Sequence, residues 1–580
     1  MFRFAIDPFS FFIGFITASV FWLLVSRARP LWHEFRTNLK EQREVAQTRK
    51  SSTVEENHRR VTLRRAQGMH IAAQLFALDE IILEPLLIMP PARVEPGAPP
   101  AFEDVITQTL PYLPSWPEIA AAYHAPTLTL AQALSGNSNI VIVGQPGVGK
   151  TVSLAHLASL AANRSETLEG LKNAVPFLVH VADLKLPNVD PKASLTPLIE
   201  AASEHAPIFD LSRLPNFFQQ TFKSGNALLL VDGFDEIPPE SQQVVAEYFN
   251  VIQKNYPLAR IVTTGAPEHL DGLIGLGFAP LALIAWSTQQ NEKFIQLWGK
   301  LWSQTIAMEA WAQTGPEQVD PLLLNVWLSA DNANLTPLEL TLKAWGAYAG
   351  DSLGSHTLEA IATHIRRLAP ANTPLAALET LGMQVMLNAQ PIFDTRKARD
   401  WVKSFEVVEE KTEDESADQA MEESAEKTKP KKGKANQKVV STPTSGLLGK
   451  MAASGLLVSY PNNKMRFAHP VFAGYLAGYA LTNYNTEEVL VNQPDWSGKY
   501  LAMRYFAARG DASKLVQNLL ETSSLPMHRP LFAAARWLRD IPKDAPWRGK
   551  LFSALAALLQ TDGIPLNLRG QAMALSLIHI

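Results

Sequence analysis

A lysine and a hydroxyl residue that close a glycine-rich turn can grip a chain of phosphates. Val141–Thr151 reads VIVGQPGVGKT, and Gly144, Gly149, Lys150 and Thr151 fill the fixed positions of the pattern G-x-x-x-x-G-K-[ST]. The glycines let successive backbone N–H groups turn inward onto phosphate oxygens. Gly144, Gln145, Pro146, Gly147, Val148, Gly149, Lys150, Thr151 and Val152 are therefore the candidate nucleotide-binding residues. Lys150 would reach the β- and γ-phosphates, and the Thr151 hydroxyl would ligate Mg²⁺. A second constellation is Ala227–Glu236, ALLLVDGFDE. An aspartate directly after an apolar run suits Mg²⁺, so Asp232 joins Thr151 as a candidate metal ligand. Asp235 and Glu236 follow just beyond, where they could orient a water against the γ-phosphate. With Lys150 they are the candidate catalytic residues.

These residues need a strand and a helix on either side of the loop. Asn139–Val143 is apolar and strand-like, and Val152–Ala162 (VSLAHLASLAA) reads as the helix whose positive end faces the anion. Further short apolar runs at Val175–Val181, Ala227–Val231, Arg260–Thr263 and Leu281–Ala285 predict strands. Between them lies a helix from Thr196 to Ala202, with Thr196 as its N-cap. Strands of this kind separated by helices predict a parallel sheet covered by helices on both faces.

The chain of 580 residues is too long for one core, and 47% apolar content is enough for several. Its net charge of −4 leaves no global nucleic-acid footprint. With no cysteine, disulfides, Cys-ligated zinc, iron–sulfur clusters and a thiol nucleophile are excluded. Pro8–Ser26 (PFSFFIGFITASVFWLLVS) is an uncharged run of 19 residues, long enough to span a bilayer. Arg27, Arg29, Arg36 and Lys40 follow it, which predicts a single-pass inner-membrane protein with its bulk in the cytoplasm. Residues 37–85 read as an amphipathic helical stalk with a basic cluster at Arg59, Arg60, Arg64 and Arg65, taken as a solvated face. Residues 89–102 are a proline-rich linker, leading to a short helix at Trp116–Ala122.

GQPGVGKT together with LLLVDGFDE resembles the NACHT family of the STAND class of signalling P-loop ATPases. Asp232-Gly233-Phe234-Asp235-Glu236 matches that family's pattern of an aspartate, a small residue and, one position on, an acidic pair. Asn334–Leu338 (NLTPL) is similar to the family's helical-domain proline motif, which implies that Pro337 packs on the nucleotide base. Leu447–Val458 and Met465–Ala477 resemble its winged helix, which implies that His469 contacts the β-phosphate of ADP. The resemblance covers roughly residues 116–480. One departure stands out. Relatives carry an arginine after the fourth strand, where this chain has Thr263-Thr264-Gly265-Ala266-Pro267. A cation that would stabilise transition-state charge is missing, so slow hydrolysis is expected, with Thr263 or Thr264 left to bond the γ-phosphate region.

From 286 to 400 the chain is helical and rich in Trp and Leu, and His356 and His364 read as structural or surface residues. Residues 405–443 form an acidic and then basic stretch that cannot bury a core, expected to be a disordered insert. Leu519-Leu520-Glu521-Thr522 with Leu525-Pro526 recurs as Leu558-Leu559-Gln560-Thr561 with Ile564-Pro565, an offset of 39 residues. Such spacing suggests HEAT-like helix pairs, too few here to close a solenoid. Leu575–Ile580 (LSLIHI) reads as one frame of a transposon end used in sequencing libraries, so the repeats are expected to be truncated.

The expected architecture is a multidomain α/β plus α chain with one N-terminal transmembrane helix: anchor 1–36, stalk and linker 37–115, NACHT P-loop NTPase domain 116–285, helical domain 286–370, winged-helix-like domain 371–480 and α-solenoid 481–580. The expected function is a membrane-anchored switch that binds ATP or ADP with Mg²⁺, self-associates and responds to an unknown protein or ligand trigger at the C-terminal helices. A nucleotide-stabilised membrane scaffold with little hydrolysis is the alternative. The motifs do not choose between ATP and GTP, although no N/T-K-x-D guanine motif follows at a suitable distance.

Overall fold

The computed structural model describes residues 53–88, 125–136, 138–186, 191–267, 270–306, 335–351, 357–405, 446–460, 462–483, 487–521 and 528–579. A helix over 53–67 opens the described chain. It stops before Gly68, residues 71–76 are turns and a bend, and a short helix follows at Leu78–Ile81. Of its basic cluster, Arg59 is buried and donates to the carbonyls of Ala161 (2.6 Å) and Asn173 (3.2 Å), while Arg65 pairs with Asp183. Two members of the basic cluster thus clamp the helix to the domain behind it. Strands β1 (Leu86–Ile88) and β2 (Thr127–Thr129) form an antiparallel ribbon.

Behind the ribbon lies the five-stranded sheet: β3 (Asn139–Val143), β4 (Val175–His180), β5 (Ala227–Asp232), β6 (Arg260–Gly265) and β7 (Phe278–Ala282). Its order is β4-β5-β6-β3-β7, and every pairing is parallel. Alternate side chains leave a strand on opposite faces, and the apolar strands feed two cores accordingly. Val141, Val143, Leu229 and Val231 pack with Phe249 and Phe218 on one face. Ile140, Ile142, Leu228 and Leu230 pack with Leu154 and Leu157 of helix Lys150–Ala162 on the other. The last strand begins earlier than Leu281 because its register with β3 runs from Asn139↔Phe278 to Val143↔Ala282. Beyond that point the chain leaves to pair with β1, and Ile284 N donates to Leu86 O at 3.0 Å. Thr196 is the first residue of its helix rather than the cap, and Leu195 holds the cap position.

The second half is built from helices and a three-stranded antiparallel sheet of β8 (Phe393–Asp394), β10 (Lys464–Phe467) and β9 (Leu457–Tyr460). One hydrophobic core runs from Leu338 to Leu575 through these elements. Helix Pro470–Leu481 approaches helix Ser497–Ala507 so closely that a Cβ on Gly478 would meet Phe506 N at 2.6 Å. Leu519–Glu521 and Leu558–Gln560 of the repeated segments close helices Ser513–Glu521 and Arg548–Gln560.

A correction concerns the membrane. Among the described residues no helix is long and apolar enough to cross a bilayer. A span needs about 20 predominantly apolar residues, whereas the longest described helix, Pro239–Asn255, has 17 and carries Glu240, Glu247 and Lys254. The expected fold class with a transmembrane helix, the single-pass inner-membrane placement and the membrane as partner are therefore not supported. Pro8–Ser26, the linker 89–102, Trp116–Ala122, His356 and most of the insert 405–443 lie outside the described residues.

Candidate nucleotide site

The loop Gly144–Gly149 springs from the end of β3 and is tied to its neighbour by Gly144 N, which donates to Gly265 O at 3.1 Å. Gly147 has φ +92°, a left-handed conformation that glycine adopts without steric cost. Its carbonyl accepts from Leu338 N at 3.1 Å, so the segment after Pro337 closes over the loop. Pro337 begins helix Pro337–Tyr348, capped by Thr336. Lys150 is buried. Its Nζ donates to Gly144 O (2.7 Å) and Gln145 O (3.1 Å), and lies 3.0 Å from Asp235 Oδ2. Thr151 Oγ1 donates to Asp232 Oδ1 at 3.0 Å.

Asp232 is 1% exposed, and its Oδ2 has no hydrogen-bond partner. Burial raises its pKa, helped by the nearby charges of Glu236 and Asp235 and opposed by His180 and Arg466. A buried carboxylate oxygen without a donor, beside a hydroxyl, is a donor set that fits a hard divalent cation. Among the described residues no cluster of three or more His, Asp or Glu could hold a metal by itself. Such an ion would draw its remaining ligands from phosphate oxygens and water.

Past Asp232 the backbone turns through Gly233 at φ +82°, where a Cβ would lie 2.3 Å from His180 Nε2. That imidazole ends β4, directly opposite Asp232 in register. Its Nδ1 accepts from Ala182 N at 3.0 Å, and its Nε2 faces Glu236 Oε2 at 3.6 Å. Glu236 also faces Arg466 Nη1 at 3.5 Å. Burial raises the Glu236 pKa, but the Arg466 charge and then His180 outweigh it and hold the carboxyl below the usual range. Arg466 sits on β10, and its Nε donates to Tyr460 Oη at 2.8 Å. His469 caps helix Pro470–Leu481 with Nδ1 accepting from Val471 N at 3.2 Å, and burial lowers its pKa to about 4. Ser497 Oγ donates to Asp235 O at 2.7 Å.

Most of these groups line one cavity of about 660 Å³, within the roughly 300–1,000 Å³ typical of ligand sites. Pro146–Ser153, Asp235, Glu236, Pro337 and His469 all border it. Of the other sequence-predicted residues, Gly144 and Gln145 meet Lys150 through their carbonyls and Asp232 meets Thr151, without lining the cavity themselves. Asp235 stands as the counter-ion of Lys150. The two threonines of β6 are committed elsewhere. Thr263 Oγ1 donates to Val231 O, and Thr264 Oγ1 accepts from Gly233 N. Gly265 has no room for a side chain, since a Cβ would meet Val141 Cγ2 at 2.6 Å. The motifs did not point to His180, Tyr460, Arg466 or Ser497, because each reaches the site only through tertiary packing.

The chain matches no curated protein. Solved structures that resemble it include a STAND protein with a tetratricopeptide-repeat sensor from Pyrococcus horikoshii (13% identity, TM-score 0.28, covering 77% of this chain and 56% of that one). This chain therefore spans little more than half of that protein. Others are the Drosophila ORC bound to DNA (13%, TM-score 0.24, 68% and 96%) and the Aeropyrum pernix ORC1 protein in complex with DNA (15%, TM-score 0.26, 61% and 90%). Likenesses at these scores are too remote to assign a function. The family model described as AAA domain matches residues 132–274, the stretch that carries the phosphate loop, Asp232, Asp235 and Glu236: this part of the chain is an AAA-type P-loop NTPase domain, a nucleotide-binding unit.

Proposed function

We propose that the chain is a nucleotide-dependent signalling switch of the STAND class, in its NACHT branch, that binds ATP or ADP with Mg²⁺ and hydrolyses ATP slowly. One observation carries this reading. The phosphate loop, the acidic turn, the segment after Thr336, the β10 strand and the helix after His469 all border the same cavity. A ligand there would touch both the sheet domain and the helical half and can bias how they are held together. Mg²⁺, held by Thr151 and Asp232, would neutralise phosphate charge. Lys150 would exchange its contact with Asp235 for phosphate oxygens. Glu236 would orient the water that adds to the terminal phosphorus as the bond to the bridging oxygen breaks, giving ADP and phosphate. Self-association and a trigger read by the C-terminal helices, paired in the manner of HEAT repeats, complete the switch.

The second reading is a scaffold that nucleotide stabilises with little hydrolysis. Glu236 facing Arg466 favours it, because a carboxylate engaged by a guanidinium is a poor partner for water. Titration with a fluorescent ATP analogue should show binding in the full chain and none in Lys150→Ala. Binding retained in that variant would refute the site. Measurable ATP turnover that falls at least tenfold in Glu236→Gln supports the switch, and a negligible rate unchanged by the substitution supports the scaffold.

A further inference from the structure

Each of three cations lining the cavity is matched to a carboxylate: Arg65 to Asp183, Lys150 to Asp235 at 3.0 Å and Arg466 to Glu236 at 3.5 Å. The last pair differs from the others. At 3.5 Å it is longer than the roughly 2.7–2.9 Å of a charge-assisted hydrogen bond, and its guanidinium is held by other groups. Arg466 Nε donates to Tyr460 Oη at 2.8 Å, with the guanidinium carbon 5.9 Å from the Tyr460 ring centre. Nη1 donates to the carbonyls of Phe467 (3.2 Å) and Ala468 (3.4 Å). Neither of these contacts uses Nη2. The side chain is only 12% exposed, so it faces the cavity from a fixed base rather than sweeping solvent.

A nucleoside triphosphate brings several negative charges into this cleft, against the three described cations that line it, Arg65, Lys150 and Arg466. His469 is neutral near pH 7, since burial holds its pKa at about 4. We propose that Arg466 is a positioning residue. It holds Glu236 in the closed cleft, and it exchanges onto the terminal phosphate of a nucleoside triphosphate, releasing Glu236 to orient water. A diphosphate lacks that phosphate and leaves the Arg466–Glu236 contact in place. The cation of β10 thereby converts the presence of one phosphate into a choice between two ion pairs, which is the differential binding that a switch requires. This inference rests on the nucleotide-switch reading above.

The test compares affinities of the full chain for ADP and for a non-hydrolysable ATP analogue, read by titration with fluorescent forms of each. Arg466→Ala should weaken the triphosphate analogue roughly tenfold or more relative to ADP, the scale of a hydrogen bond to a charged group. Arg466→Lys, which keeps the charge without the fork, should give an intermediate ratio. The loss must persist in a Glu236→Gln background, because the phosphate contact does not need Glu236. A ratio unchanged from the wild type, or a loss that vanishes in that background, overturns the exchange. If Arg466→Ala melts early, the Arg466→Lys ratio alone decides, and a wild-type ratio there overturns it. Lys150→Ala separates the two levels. If it still binds both nucleotides, the site reading itself fails. If it binds neither while the Arg466 variants keep the wild-type ratio, only the role of Arg466 fails.

Discussion

Asp232 ends β5 with one carboxylate oxygen on the Thr151 hydroxyl and the other without a partner, in a place that water barely reaches. Such a group is costly unless something compensates it, and the neighbouring residues are chosen around that cost. Gly233 follows because its left-handed φ turns the chain at once and because His180 Nε2 occupies the place of a side chain. The small residue of the DGFDE pattern thus has two separate physical reasons. His364 shows the same economy away from the site. It is 1% exposed, its Nε2 has no hydrogen-bond partner, and its ring lies 4.8 Å from Trp345 and 5.7 Å from Phe472. Burial, and then the charge of Arg367, lower its pKa from 6.5 to about 3. An imidazole kept neutral when folded takes up its proton on unfolding, so its contribution is complete above pH 6.5 and is lost as pH falls toward 3. Between pH 7 and pH 5 this one group should cost about 2 kcal/mol of stability. Urea unfolding of the wild type and of His364→Leu at both pH values measures it. An equal pH dependence in the two proteins would refute the assignment.

Among the elements, helix Pro337–Tyr348 joins the cleft to the C-terminal helices through one carboxylate. Glu339 Oε2 accepts from Thr336 N at 2.9 Å while Glu339 N donates to Thr336 Oγ1 at 3.3 Å, a reciprocal cap. That cap sets the segment whose Leu338 N reaches Gly147 of the phosphate loop. The other oxygen, Oε1, meets Arg539 and, at 3.5 Å, Arg504, and Arg504 Nε lies 2.5 Å from Asp540. Burial raises the Glu339 pKa, but Arg539 and Arg504 outweigh it and keep the carboxyl ionised. Glu339→Gln keeps a side-chain oxygen for the cap and removes the charge from a buried network. The expected loss is about 3 kcal/mol in urea unfolding, and one below about 1 kcal/mol would mean that solvent screens the network. The loop and the acidic strand were legible in the sequence because their chemistry constrains neighbouring residues: Gly144 to Thr151, and an apolar strand running into Asp232. The strands were legible for a related reason, since a sheet covered on both faces writes continuous apolar runs. The shift of β7 to Phe278–Ala282 was not, because pairing with β3 and the departure to β1 set it. Nor was Arg466 or the Glu339 network, whose partners lie far apart along the chain and carry no local pattern.

At the scale of the whole molecule, two contacts fasten the C-terminal helices to the nucleotide cleft. Ser497 Oγ donates to Asp235 O at 2.7 Å, and Glu339 meets Arg504 and Arg539. Helix Ser497–Ala507 carries both Ser497 and Arg504, so it touches the acidic turn and the helix behind Pro337 at once. The same core that contains Leu338 continues to Leu575, so these helices cannot loosen without disturbing the wall of the cavity. A ligand that binds only the folded molecule stabilises it by mass action, by about 2.7 kcal/mol at a hundred times its Kd. Where that stabilisation is felt reports how far the molecule is coupled. In amide hydrogen exchange, saturating ADP should slow residues 144–163 and, with them, 497–507 and 529–540. Ser497→Ala should reduce the protection of 497–507 while leaving that of the loop in place. Protection confined to the loop and its helix in the unmodified chain would show that the C-terminal helices sit beside the cleft without sensing it.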